Sequence, residues 1–200
     1  DGRLSQSPPT ESSSPDRFVY DPENPVFTLG GQVSTQFAVR GPKDRQSTQL
    51  REDVLVYSTD PLPQDTEVTG PVELRLWASS TAPDTDFTAT LTDVHPDGRA
   101  VHICEGILGV TFRDSLEHPT PIEPGKVYPL SISLWATSML FKAGHRVRLE
   151  VSSSNFPRYA RNQNTGLPLG TSAKMATARQ TVYHDAEHPS RLILPVIGPQ

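Results

Sequence analysis

The stretch Val72–Phe112, VELRLWASSTAPDTDFTATLTDVHPDGRAVHICEGILGVTF, decides the fold. Val72, Leu74 and Leu76 alternate with Glu73, Arg75 and Trp77, the period-2 pattern of a half-buried strand. Thr81-Ala82-Pro83-Asp84 then breaks the pattern with turn-forming residues. Phe87, Ala89 and Leu91 alternate with Thr88, Thr90 and Thr92, which predicts a second strand with a β-branched outer face. His95-Pro96-Asp97-Gly98 predicts a tight turn, because Pro presets φ and Gly accepts positive φ. A third strand over Arg99–Phe112 completes an expected three-stranded meander.

Working outward, the flanking sequence supplies more short strands between turn signals. Val54–Tyr57 reads as one, bounded by charges before it and Ser-Thr-Asp-Pro after it. Pro124-Gly125 is a type II turn candidate that launches Val127–Trp135, where Leu130, Ile132 and Leu134 alternate with Ser131, Ser133 and Trp135. Ala136–Leu140 reads as a single helical turn. Arg146–Ser152 alternates cleanly, and Gln180–His184 and Arg191–Ile197 close the chain. Gln36–Arg51 and Asp114–Lys126 read as polar loops, and Asn155–Arg179 is the longest stretch without strand pattern. Ser5–Arg17 is rich in Ser and Pro and reads as a linker. Phe18-Val19-Tyr20 precedes Asp21-Pro22 and Asn24-Pro25, so it is expected to lie extended along a surface and not inside a sheet. About eight strands with this punctuation predict an all-β chain folded as a jelly-roll β-sandwich with long loops. Residues 1–31 are expected to be an extended linker or arm, and 32–200 a single sandwich domain.

Composition agrees. The 200 residues include 20 prolines and 13 glycines, which disfavour long helices and suit strands separated by turns. The formal net charge of −5 is spread along the chain, and there is no basic footprint for nucleic acid. No apolar run reaches the roughly 18 residues of a transmembrane helix. Neither nucleic acid nor membrane is an expected partner. The opening DGRLSQSPP has no signal-peptide pattern and reads as a cut within a longer chain. Localisation stays open, with the cytoplasm the preferred reading. Cys104 is the sole cysteine, which excludes an internal disulfide and reads as a small core hydrophobe.

Several groups of residues have the right types for chemistry. Ser152-Ser153-Ser154 with His145, or His184-Asp185, suggests a Ser-His-Asp triad. No G-x-S-x-G elbow presents a serine on a strained turn, however, and a serine run at a strand end is more often a sheet rim. His184, Asp185 and His188 are metal-ligand types in a turn before Pro189, where solvated side chains are the better account. Asp84-Thr85-Asp86 offers carboxylates to a calcium ion, but Asp84 capping the turn and Asp86 opening the next strand is the simpler reading. No metal or cofactor is expected.

The tryptophans carry more information. Parity puts Trp77 with Glu73 and Arg75, and Trp135 with Ser131 and Ser133. A large aromatic on a polar face needs a cover, from a loop of the same domain, another domain or a ligand. Asn155, Phe156, Arg158 and Tyr159 are candidates for the same face, and with Trp135 they form the candidate surface for such a cover, interdomain if the cover is another domain.

A set of short motifs occurs in one order: Asp53-Val54-Leu55-Val56-Tyr57-Ser58-Thr59, Val68-Thr69-Gly70, Asp84-Thr85-Asp86-Phe87, Pro96-Asp97-Gly98-Arg99, Gly144-His145-Arg146, Ser152-Ser153-Ser154-Asn155-Phe156-Pro157, Asn164-Thr165-Gly166 and His188-Pro189-Ser190. Together they resemble the C-terminal domain of the X-Pro dipeptidyl-peptidase and cocaine-esterase family of serine hydrolases, closest to the cocaine-esterase branch. The similarity covers nearly the whole chain. It implies a galactose-binding-like jelly roll packed on an N-terminal α/β-hydrolase domain of the same polypeptide and helping to wall its active-site cleft. The family's catalytic Ser, Asp and His lie on that other domain, so none is carried over and this chain alone is expected to be inactive. The parent is expected to cleave a small ester, amide or peptide through an acyl-enzyme. In the cocaine-esterase branch a leucine-aromatic pair on the first long strand borders the acyl pocket, which implies Leu76 and Trp77 here. Parity turns Leu76 toward the core, and only a strand end or bulge would expose both. A free-standing carbohydrate-binding module stays open as the alternative, because jelly rolls serve that purpose too.

Overall fold

The computed structural model describes residues 2–10, 12–32, 39–168 and 170–198. In chain order its strands are β1 (Gly2–Arg3), β2 (Asp16–Tyr20), β3 (Leu55–Ser58), β4 (Thr66–Ser80), β5 (Asp86–Val94), β6 (Ala100–Gly109), β7 (Tyr128–Phe141), β8 (Arg146–Ser152), β9 (Ala178–Tyr183), β10 (Arg191–Ile193) and β11 (Val196–Ile197). The first sheet has the order β1-β3-β8-β5-β6, with β1 parallel to β3 and the other neighbours antiparallel. The second is built on β4, which pairs with β7 along one edge and with β11, β10 and β9 in succession along the other. The outermost strand, β2, pairs with β9. Between the sheets lies one core that includes Leu74, Leu76, Phe87, Leu91, Ile132, Leu134, Phe141, Leu149 and Val151. Each such side chain contributes about 1.5–3 kcal/mol by leaving water. The architecture is a two-sheet β-sandwich.

The strands expected from Val72–Phe112 are present, but they do not form a meander. β5 and β6 are a hairpin, with Phe87 opposite Leu108, whereas β4 and β5 belong to different sheets. Both edges of β4 are already occupied, and Thr81 N–H bonds Arg179 O, so the chain leaves the second sheet at this point. It crosses to the first sheet and the core closes between them, as in a jelly roll.

Three further expectations are corrected. Phe18-Val19-Tyr20 is inside a sheet: Phe18 and Tyr20 are in the core, and the prolines after Tyr20 end β2 without excluding it. Ala136–Leu140 is not helical, because β7 continues through it to Phe141. A register shift opposite Val72 explains why the pattern misleads, since Pro71 pairs with Ala136 but Glu73 pairs with Ser133. This bulge exchanges the faces, so even-numbered residues point inward before it and Met139 and Phe141 point inward after it. Of the expected loop Gln36–Arg51, Gln36–Ala38 lie outside the described residues. The remainder holds one helical turn, Gln46–Gln49, and the buried Arg45.

Candidate functional site

The outer faces of the two sheets differ in kind. On the first sheet the outer face carries Thr88, Thr90 and Thr92 of β5 with Glu150 of β8, and all four are buried. Residues before β3 cover them. Val26 and Val54 pack with Val56, and Arg45 lies over Glu150 with Nη2–Oε2 at 2.7 Å. Arg45 Nη1 also donates to Leu29 O (2.8 Å), and Gln49 Nε2 donates to Glu150 Oε1 (2.8 Å). Nearby, Glu105 accepts Asn155 Nδ2 at 2.6 Å, with His102 Nε2 at 3.5 Å and Arg158 Nε at 3.4 Å. Burial pushes the Glu105 carboxyl up, but the His102 and Asn155 contacts and the Arg158 charge outweigh it and hold it below its ordinary range. This face is closed by the domain's own chain.

Among the described residues the outer face of the second sheet is less covered, although Ser79 and Thr181 are buried on it. Along β4 and its neighbours it presents Glu73, Arg75, Trp77, Ser131, Ser133, Tyr183 and Val19. Trp77 is half-buried. Its ring meets His188 edge-on at 5.2 Å, and Tyr183 also packs against His188 at 5.3 Å. Its main-chain N–H donates to Ser190 Oγ (2.8 Å), so the β9–β10 loop supplies part of the cover for this ring. Trp135 is the extra residue of the β7 bulge, with φ of 64° and 68% exposure. Leu140 and Ile197 are exposed farther along the same sheet.

The residues singled out from the sequence are therefore not gathered on one surface. Leu76 is 2% exposed in the intersheet core, so its side chain lines no surface pocket of the domain. Trp77 and Trp135 lie on the outer face of the second sheet. Asn155 is buried against Glu105 on the other sheet, which removes it from any contact surface in this conformation. Phe156, Arg158 and Tyr159 are half-buried beside it. Phe156 stacks edge-on with Phe27 at 6.0 Å beneath Arg161, and Arg158 lies 5.5 Å from the Tyr159 ring.

Neither sequence-level triad assembles. Ser152 Oγ donates to Asp53 O and Ser154 Oγ accepts from Val26 N–H, while His145 pairs with Asp93. Asp185 accepts the backbone amides of Glu187 and His188, the work of a turn residue. A different chain of contacts does form, Ser13 Oγ to His184 Nδ1 (3.0 Å) and His184 Nε2 to Asp16 (3.1 Å). Ser13 is exposed, however, on the segment before β2, and Asp16 also accepts from the Tyr57 hydroxyl (2.8 Å). Nucleophilic catalysis needs an enclosed serine with donors aimed at an oxyanion, and an open surface serine provides no enclosure. Asp84 and Asp86 share Asn162 Nδ2, at 3.2 and 2.9 Å. Burial pushes the Asp86 carboxyl up to about 7. The buried Arg45–Glu150 pair and the left-handed Trp135 have no local sequence signal, since one joins residues 105 positions apart and the other depends on a register shift.

Among the described residues the chain is a two-sheet β-sandwich whose first outer face is covered by its own chain and whose second is more open. Comparison with known proteins makes this specific. The model for the X-Pro dipeptidyl-peptidase C-terminal non-catalytic domain matches residues 1–193, and the chain belongs to that family. It is 46% identical over 188 residues to the cocaine esterase of Rhodococcus sp. (strain MB1 Bresler), a match covering 93% of this chain and 33% of that protein. It resembles the crystal structure of an aminopeptidase from a marine sediment Thaumarchaeota archaeon, with a TM-score of 0.90 and 30% identity over 99% of this chain and 35% of that one. An α-amino acid ester hydrolase gives a TM-score of 0.88 at 28% identity, over 98% and 35% of the respective chains. The chain thus spans about a third of the length of these relatives.

Proposed function

We propose that this chain is the accessory domain of a serine hydrolase cleaving ester or amide bonds, and that it docks on an N-terminal α/β-hydrolase domain through the outer face of the second sheet. Within that interface Trp77 stands on the acyl side of the pocket. The observation that carries the reading is the contrast between the faces: one is covered by the domain's own chain, and the other is covered only in part and carries both tryptophans. Aromatic side chains anchor interfaces because they remove a large apolar area from water at little entropic cost. The mixed charge of the face, with Glu73 and Arg75 beside Trp77, suits an interdomain contact within one polypeptide. Relatives about three times as long leave room for such a domain. Trp77→Ala in the intact protein should change kcat/KM for ester substrates, and the change should depend on the acyl group. Identical kinetics across several acyl groups would contradict the pocket role.

A further inference from the structure

Three side chains that play no part in the proposed interface converge at one end of the first sheet. Asp93 lies near the end of β5, His95 opens the β5–β6 turn, and His145 lies just before β8. Their donor atoms are all within 4.8 Å of one another. His145 Nδ1 is 2.9 and 3.0 Å from the two Asp93 oxygens, and His95 Nε2 is 3.6 Å from Asp93 Oδ2. The imidazole centroids are 4.4 Å apart. The Asp93 side chain is 3% exposed and those of His145 and His95 are 14% and 28%, so the carboxylate is enclosed while the histidines border solvent.

We propose that Asp93, His95 and His145 bind a divalent transition-metal ion of the zinc class. Two imidazole nitrogens and a carboxylate are the donors such ions select. Donors that share a tetrahedral ion at bond lengths of about 2.0–2.2 Å stand roughly 3.3 Å apart. The two Asp93 contacts, 2.9 Å to His145 and 3.6 Å to His95, bracket that spacing, and the two histidine donors lie within 4.8 Å of each other. The 3.6 Å separation is too long for a hydrogen bond and leaves space for an ion shared by His95 and Asp93, which otherwise meet as an ion pair.

The frame is already set. His145 N–H donates to Lys142 O (3.0 Å), and Leu62 N–H donates to His145 O (2.8 Å). His95 N–H donates to Arg99 O and Gly98 N–H to His95 O, each at 2.9 Å. Asp93 is held in register between Val101 and Val147. Little main-chain reorganisation is therefore needed for binding. The Arg99 guanidinium, 3.4 Å from His95 Nδ1, opposes a cation, but its Nε pairs with Asp97 at 2.8 Å and its side chain is 55% exposed. Coordination through His95 Nε2 places the ring proton on Nδ1, and Arg99 turns to Asp97. The bound ion would tie the β5–β6 turn to the β7–β8 turn across the end of the sheet, with water in the fourth position.

The test titrates the intact, chelator-treated protein with ZnCl2 by calorimetry and with CoCl2 by visible absorption, beside His95→Ala and Asp93→Asn. His95→Ala removes a side chain from an exposed turn, so it preserves the fold if Asp93→Asn does not. Wild type should take up one more Zn2+ per chain than His95→Ala and show Co2+ ligand-field bands that the variant lacks. Its Tm should rise with Zn2+ by several degrees more than the variant's. Equal Zn2+ uptake with identical Co2+ spectra in wild type and His95→Ala would overturn the proposal.

Discussion

A Cβ placed on Gly106 would overlap the main-chain carbonyl oxygen of Ser133, so β6 and β7 lie against each other with no side chain between them. Sandwich layers ordinarily stand about 10 Å apart, separated by interleaved side chains. Here the backbones meet beside the bulge that holds Trp135. Gly106→Ala should therefore destabilise the domain by about 3 kcal/mol, since the obstructing atom belongs to the backbone and cannot rotate away. Gly106 is not among the positive-φ glycines, so the whole cost is steric. Chemical denaturation checks it, with an unchanged midpoint as the contrary result.

Trp135 stands in the left-handed region at φ of 64°, which costs a bulky side chain on the order of 1–3 kcal/mol. Its ring recovers little of that, being 68% exposed in the domain. Trp135→Gly should stabilise the isolated domain by about 1 kcal/mol and lower the Tm of the intact protein, where the ring is proposed to be covered. Opposite signs in the two settings are what a docking residue predicts.

Arg45 and Glu150 are each 3% exposed in their side chains. Removing one partner strands the other charge out of water, so Arg45→Met or Glu150→Gln should each cost about 3–5 kcal/mol. The double change Arg45→Met with Glu150→Leu should recover most of the loss, because both desolvation penalties disappear together. Additive losses in the double variant would show that the pair acts through packing instead.

Asp86 gives a pH signature. Burial raises its folded pKa from 3.8 to about 7, so between those values the folded state holds a proton that the unfolded state has released. Stability from this group is present below pH 4, falls as pH rises toward 7, and levels off above it. The decline should be on the order of 4 kcal/mol at most, about 1.4 kcal/mol for each pH unit between the two values. Asp86→Asn keeps an oxygen for Asn162 Nδ2 and should flatten the profile while stabilising the domain at pH 8. A wild-type profile already flat from pH 4 to 8 would contradict the assignment.

The sequence was most informative where burial is one-sided. Leu74 and Leu76 against Glu73 and Arg75 identify the two faces of β4, and Trp77 falls on the outer one as parity requires. The same rule fails on β5. Its threonines look like an outer face and are buried, because the cover comes from Arg45, Val26 and Val54, far away in the chain. Alternation records whether a side chain is apolar; it does not record which polar side chains another segment will enclose. The β7 bulge defeats it in a second way, by exchanging faces within one strand, which made Ala136–Leu140 resemble a helical turn. The cluster of Asp93, His95 and His145 has no local sequence signal, because it depends on two turns lying side by side at one end of a sheet.

The central claim, that the outer face of the second sheet is covered by a partner domain, is tested most directly by hydroxyl-radical footprinting of the intact protein beside the isolated domain. In the isolated domain Trp135 should be labelled strongly and the half-buried Trp77 less so, and both should be protected several-fold in the intact protein. Leu50, 86% exposed at the end of the helical turn that covers the first sheet, should be labelled equally in both. Equal labelling of Trp135 and Trp77 in the two forms would contradict the account.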